Sequence, residues 1–201
     1  MNKLPKSSLT AMLMLFWGIP AAEASDSAGE RVQLPSTVVP VHYELTIKPD
    51  AEKLTFDGTV RIDAEVEAST SEIVLNALDL EIGKVVLDSA VGDVPRIIPD
   101  TVRQTVTFQF SEPIAPGRHV MTIDYRGKIY EKPQGLFVLN YDTPQRRERM
   151  LVTQFEAADA RRFLPSWDEP ARKASFALSV IAPEASSPLV RYTSRDGPAT
   201  R

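Results

Sequence analysis

The dominant period along this chain is two. Val41, Tyr43, Leu45 and Ile47 alternate with His42, Glu44, Thr46 and Lys48, and Val60, Ile62, Ala64 and Val66 alternate with Thr59, Arg61, Asp63 and Glu65. Successive side chains of an extended backbone point to opposite faces, so each run has one face to bury and one to leave in water, as in a half-solvated antiparallel strand. The pattern returns at Val102, Val106, Phe108 and Phe110, at Met121, Ile123 and Tyr125, and at Phe176, Leu178 and Val180. Lys48-Pro49-Asp50, Asp57-Gly58, Gly92-Asp93 and Pro113 to Gly117 read as turns between these runs. Ser111 to Arg118 is predicted to be the loop of a hairpin joining the strands around Phe108 and Ile123. Short strands at this spacing predict an all-β fold, an antiparallel sandwich or barrel. One stretch breaks the rhythm. Glu156 to Phe163 lacks alternation and is rich in helix formers, which predicts one short helical insertion near 157–163, ended by Pro165 and too short to stand without packing. A charged, aromatic and proline-dense insertion between two strands is where a β-domain holds function or meets a neighbour.

The two ends are expected to lie outside this fold. Residues 1–24 read as a secretory signal: Lys3 and Lys6, then an apolar run from Leu9 to Trp17, then the small-x-small site Ala22-Glu23-Ala24, with cleavage before Ser25. The apolar run falls short of the ~20 residues that span a bilayer, and Gly18 and Pro20 interrupt it, so no membrane span is expected after signal cleavage. Residues 25–33 are expected to be a flexible lead-in, 34–183 the β-domain, and 184–201 a Ser-, Pro- and Arg-rich disordered tail. An exported chain without cysteine fits a bacterial periplasm or cell exterior better than a eukaryotic secretory route.

Composition then narrows the chemistry. A formal net charge of −4 over 201 residues argues against nucleic acid, which calls for a clustered cationic face. The absence of cysteine excludes disulfides, thiolate catalysis and a sulfur-ligated zinc, and His42 and His119 are too few for a multi-histidine metal site.

The segment from Thr153 to Phe176, centred on Gln154-Phe155-Glu156-Ala157-Ala158-Asp159-Ala160-Arg161-Arg162-Phe163-Leu164-Pro165-Ser166-Trp167-Asp168-Glu169-Pro170, resembles a block of the zinc aminopeptidases of the aminopeptidase N type, peptidase family M1. Leu34 to Leu45 resembles the family's opening strand, Phe56-Asp57-Gly58 its second, and Tyr125-Arg126-Gly127-Lys128 and Gly135-Leu136-Phe137 the stretch before the block. The resemblance runs from about Leu34 to Pro183. It implies a saddle-like, sandwich-type N-terminal β-domain that packs on a thermolysin-like catalytic domain. It also implies roles for two residues. The pair Gln154 and Glu156 is similar to the family's Gln-x-Glu, whose acidic member helps hold the free α-amino group of a peptide N-terminus. A carboxylate facing an ammonium in a water-poor cleft makes a charge-assisted hydrogen bond. An internal peptide bond would leave that carboxylate buried and unpaired, which favours exopeptidase register.

Each residue also has a blander reading. A carboxylate after a strand is ordinarily a solvated charge or a helix-end partner; for Glu156 the surrounding block tips the balance to anchoring. For Asp159, Arg161, Arg162, Asp168 and Glu169 the balance runs the other way, toward a local ion-pair and turn network. Trp167 reads as a core or interface plug, and His42 and His119 as surface residues. The family's chemistry needs a His-Glu-x-x-His helix for zinc and general base, and a Gly-x-Met-Glu-Asn strand. Neither string occurs here. The expectation is therefore a domain with no cofactor of its own and no activity alone, from a fragment or truncated reading frame, with zinc belonging to the complete family enzyme. Two other readings stay open: a stand-alone β-sandwich binding or adhesion module, and a pseudo-enzyme domain that pairs with a separate catalytic chain.

Overall fold

The computed structural model describes residues 33–182. The expected signal, all of the lead-in but Gln33, and the tail lie outside the described residues. Among the described residues, ten strands form three sheets. β1 (Val38–Asp50), β2 (Thr55–Val66), β4 (Glu81–Leu87), β7 (Gly117–Lys128) and β10 (Ser175–Val180) make a five-stranded sheet in the order β10-β1-β2-β7-β4. β3 (Thr70–Asn76), β5 (Arg96–Asp100) and β6 (Thr105–Ile114) make a second in the order β3-β6-β5, and β8 (Gly135–Asp142) with β9 (Arg147–Gln154) a two-stranded hairpin. The fold is all-β and antiparallel apart from one pair, β1 with β10, which run parallel.

The alternation seen in the sequence sets the faces. Tyr43, Leu45, Ile47, Val60, Ile62, Met121 and Ile123 from the five-stranded sheet, and Ile73, Leu75, Val106, Phe108 and Phe110 from the three-stranded one, belong to one buried cluster. At ~25 cal/mol per Å² of apolar surface removed from water, this cluster supplies the main drive to fold.

Two hairpin tips share one device. Asp50 closes β1 and accepts the N–H groups of Glu52 and Lys53 on its Oδ1, at 3.1 and 2.9 Å. Asp100 closes β5 and does the same for Val102 and Arg103, at 3.0 and 2.9 Å. In each, the residue before the next strand (Leu54, Gln104) has a left-handed φ, 54° and 56°. An aspartate that satisfies the first turn amides favours this reversal.

Four local expectations are corrected. Val102 sits on the β5–β6 tip and is 91% exposed, because the Asp100 turn takes it off the strand. Ser111 to Arg118 is not a hairpin loop: β6 pairs with β3 and β5, β7 with β2 and β4, and the chain passes from one sheet to the other through Ala115-Pro116. Asp57-Gly58 lies inside β2, opposite Arg126 and Tyr125, rather than in a turn. The helical insertion shrinks to one 3-10 turn, Ala160–Arg162, since its flanks are drawn into contacts with other elements.

Candidate functional site: the turn after β9

β9 ends at Gln154, opposite Gly135 at the start of β8. Gly135 has φ +57°, and a Cβ there would come within 2.9 Å of the Arg162 Cβ, so glycine meets both the backbone and the space requirement. Beyond the strand, the half-buried Phe155 ring packs 5.2 Å from Phe163, which lies 5.6 Å from Phe56 in the core. The Phe155 carbonyl accepts the Asp159 N–H at 2.9 Å. That bond closes a turn over Glu156, Ala157 and Ala158, all exposed, and the Glu156–Ala157 peptide is cis. Gln154 is exposed as well, so the structure brings both predicted residues to one end of β9. Among the described residues, neither the Glu156 carboxylate nor the Gln154 carboxamide has a hydrogen-bond or ion-pair partner.

Asp159, Arg161, Arg162, Asp168, Glu169 and Arg172, which follow, are all engaged. Arg161 Nε donates to Asp168 Oδ2 at 2.9 Å and its Nη1 to Gln104 Oε1 at 3.1 Å. Arg162 Nε donates to Asp159 Oδ1 at 2.8 Å and its Nη1 to Asp79 Oδ2 at 2.9 Å. Glu169 accepts the Leu34 N–H at 2.7 Å and lies 3.6 Å from Arg172. Trp167 is buried, and its backbone N–H donates to the Tyr43 hydroxyl at 3.2 Å. Asn76, 1% exposed, exchanges backbone hydrogen bonds with Ser166 and accepts the Asp168 N–H on Oδ1. The block is thus stitched to β1, to the end of β3 and to the β5–β6 tip, so the turn before it stands on a rigid base.

Sequence reasoning did not find the neighbours that complete this base, Asp79 and Tyr130. The Tyr130 hydroxyl donates to Asp79 Oδ2 at 2.7 Å, and burial, then this bond, pushes the phenol up to about 12. Their separation from Arg162, 83 and 32 residues, leaves no local signal. The two histidines are far from the turn in chain and role: His42 Nδ1 contacts Ser175 Oγ at 2.7 Å and His119 Nε2 the Ala115 carbonyl at 2.8 Å.

Fold and site together define an all-β scaffold that holds, among the described residues, an unpartnered carboxylate on a braced turn and a carboxamide at the end of the strand before it. The chain belongs to peptidase family M1: the family's Peptidase M1 N-terminal domain matches residues 39–190. It is 42% identical over 153 residues to Aminopeptidase N of Acetobacter pasteurianus, an alignment covering 76% of this chain and 42% of that protein. It is 38% identical over 154 residues to Aminopeptidase 2 of Candida albicans (76% of this chain, 16% of that protein) and 35% over 157 residues to Aminopeptidase M1 of Arabidopsis thaliana (75% and 18%). The chain therefore spans less than half the length of these relatives. The family is zinc-dependent, but the donor set here does not fit that metal. The sequence has two histidines and no cysteine, and among the described residues no three His, Asp or Glu side chains are grouped to hold an ion.

Proposed function

We propose that this chain is the substrate-anchoring N-terminal domain of an exported zinc aminopeptidase, which removes N-terminal residues from peptides. In this reading Glu156 accepts hydrogen bonds from the free α-ammonium of the substrate, and Gln154 offers a neighbouring carbonyl acceptor. A thermolysin-like catalytic domain supplies the metal and the general base. The observation that carries the reading is the exposed, unpartnered Glu156 carboxylate on a turn closed by Asp159 and seated on Phe163. Every acidic side chain downstream of it in the block is already paired, which leaves Glu156 as the one free to meet a cation. The closed turn fixes the Glu156 backbone, so binding an ammonium has only the glutamate's own rotamers left to order.

In an assembled M1 aminopeptidase carrying this domain, Glu156→Ala lowers kcat/KM on free-amine peptides by about 10- to 100-fold, the loss of one charge-assisted hydrogen bond. Comparison with N-acetylated peptides checks it: an unchanged preference for the free amine rejects the anchoring role. The 201-residue chain alone is expected to leave an amino-acid anilide intact with or without added zinc, since it presents neither a metal site nor a base beside one. Zinc-dependent turnover that survives repurification overturns that expectation. Export is checked by N-terminal sequencing of the secreted product, which should begin at Ser25.

A further inference from the structure

One side chain ties the Glu156 turn to the body of the sandwich. The Arg162 guanidinium holds Asp159 Oδ1 through Nε at 2.8 Å, and Asp159 in turn closes the turn through its N–H to the Phe155 carbonyl at 2.9 Å. On its other edge Arg162 Nη1 reaches Asp79 Oδ2 at 2.9 Å and the Tyr130 hydroxyl at 3.2 Å, and its Cζ lies 5.4 Å from the centre of the Tyr130 ring. Asp79 belongs to the β3–β4 link, and Tyr130 follows β7 and is bound to β8 by its N–H to the Leu136 carbonyl and its own carbonyl from the Val138 N–H. The Arg162 Cβ fills the space that Gly135 leaves open opposite Gln154. Its side chain is 19% exposed. A planar fork can bind two carboxylates and lie on an aromatic face at once; a lysine ammonium at the same place reaches only one of these partners well.

We propose that Arg162 is a positioning residue for Glu156: held by Asp79 and Tyr130, it grips Asp159 and so sets where the Phe155–Asp159 turn presents the carboxylate that receives a peptide amine. The amine half rests on the anchoring role proposed above. The clamp itself does not.

The test uses the isotope-labelled 201-residue chain, with trialanine and N-acetyl-trialanine as probes. Two quantities are read by NMR: hydrogen exchange of the Asp159 amide, and the affinity of each peptide from shifts of the Glu156 side chain. In Arg162→Ala the Asp159 amide is expected to exchange at least about tenfold faster, while the Ile123 amide in the middle of β7 is unchanged. Trialanine is expected to bind about tenfold more weakly, with Arg162→Lys intermediate for both quantities. Unchanged Asp159 exchange in Arg162→Ala overturns the clamp. Should that variant lose its core signals, Arg162→Lys and Tyr130→Phe decide: faster Asp159 exchange in either supports the clamp, and wild-type exchange in both overturns it. If the wild-type chain does not distinguish the two peptides, the amine half falls for this chain, the anchoring role being decided in the assembled enzyme by Glu156→Ala, while the exchange result still decides what holds the turn. If trialanine affinity is unaffected although the turn has loosened, Arg162 braces the backbone but does not position the anchor, and the amine half is rejected on its own.

Discussion

Asn76 shows how much one side chain holds here. It is buried on the three-stranded sheet, and its Oδ1 is the acceptor for the Asp168 N–H at 3.1 Å, so it locks the segment after the 3-10 turn to β3. Asn76→Ala leaves that amide without its partner and is expected to cost about 1–3 kcal/mol, read as a lower urea midpoint at unchanged m-value. The site residues divide along the same line between what is local and what is not. Gln154 and Glu156 stand out as candidates in the sequence because the surrounding block is chemically distinctive as a string. Asp79 and Tyr130 do not, because an isolated aspartate and an isolated tyrosine carry no pattern until the fold places them against Arg162. Trp167 and the ion-pairing of Asp159, Arg161, Arg162, Asp168 and Glu169 follow the expectation of a packed, self-neutralised network.

At the level of elements, β2 and β7 pair over their full lengths through two glycine–aromatic couples. Gly58 faces Tyr125 and Gly127 faces Phe56, and a Cβ at either glycine would run into the opposing ring. The rings lie across the bare backbone and meet each other edge-on, with centroids 6.2 Å apart. Asp57-Gly58 therefore looked like a turn for a sound local reason, but its glycine serves a cross-strand ring. Gly58→Val is expected to destabilise the chain by about 1–3 kcal/mol through overpacking, although valine is the better strand former. A thermal melt checks it, and a rise in Tm contradicts the account. β6 and β7 carry the same lesson. From Val106 onward their alternation matches their buried faces, yet the consecutive strands go to opposite sheets, where each finds two partners and both inner faces are covered.

On the scale of the whole molecule, three tyrosines couple the fold to pH. Burial pushes the Tyr43 and Tyr125 phenols well above their ordinary 10.0, and Tyr130 up to about 12. A folded-state value above the unfolded one means the neutral phenol is favoured in the native chain. Its stabilisation is complete below pH 10 and is lost as pH rises toward and through the folded value, because the unfolded chain releases its protons first. Urea midpoints should therefore show no tyrosine-linked change between neutral pH and about pH 9 and fall steeply above about pH 10. A flat profile through that range contradicts the burial assigned to these rings. By itself, the amino-acid sequence determined the inward face of the long strands β1, β2, β6 and β7, that the chain is all-β, and which family its short distinctive block belongs to, since a period of two and a distinctive string are local properties. Tertiary structure alone decided which strands join, that β10 runs parallel to β1, and that Arg162 reaches Asp79 across 83 residues. Alternation says which side of a strand is apolar but not which edge it seeks, and only long-range hydrogen bonding and packing choose among the edges available.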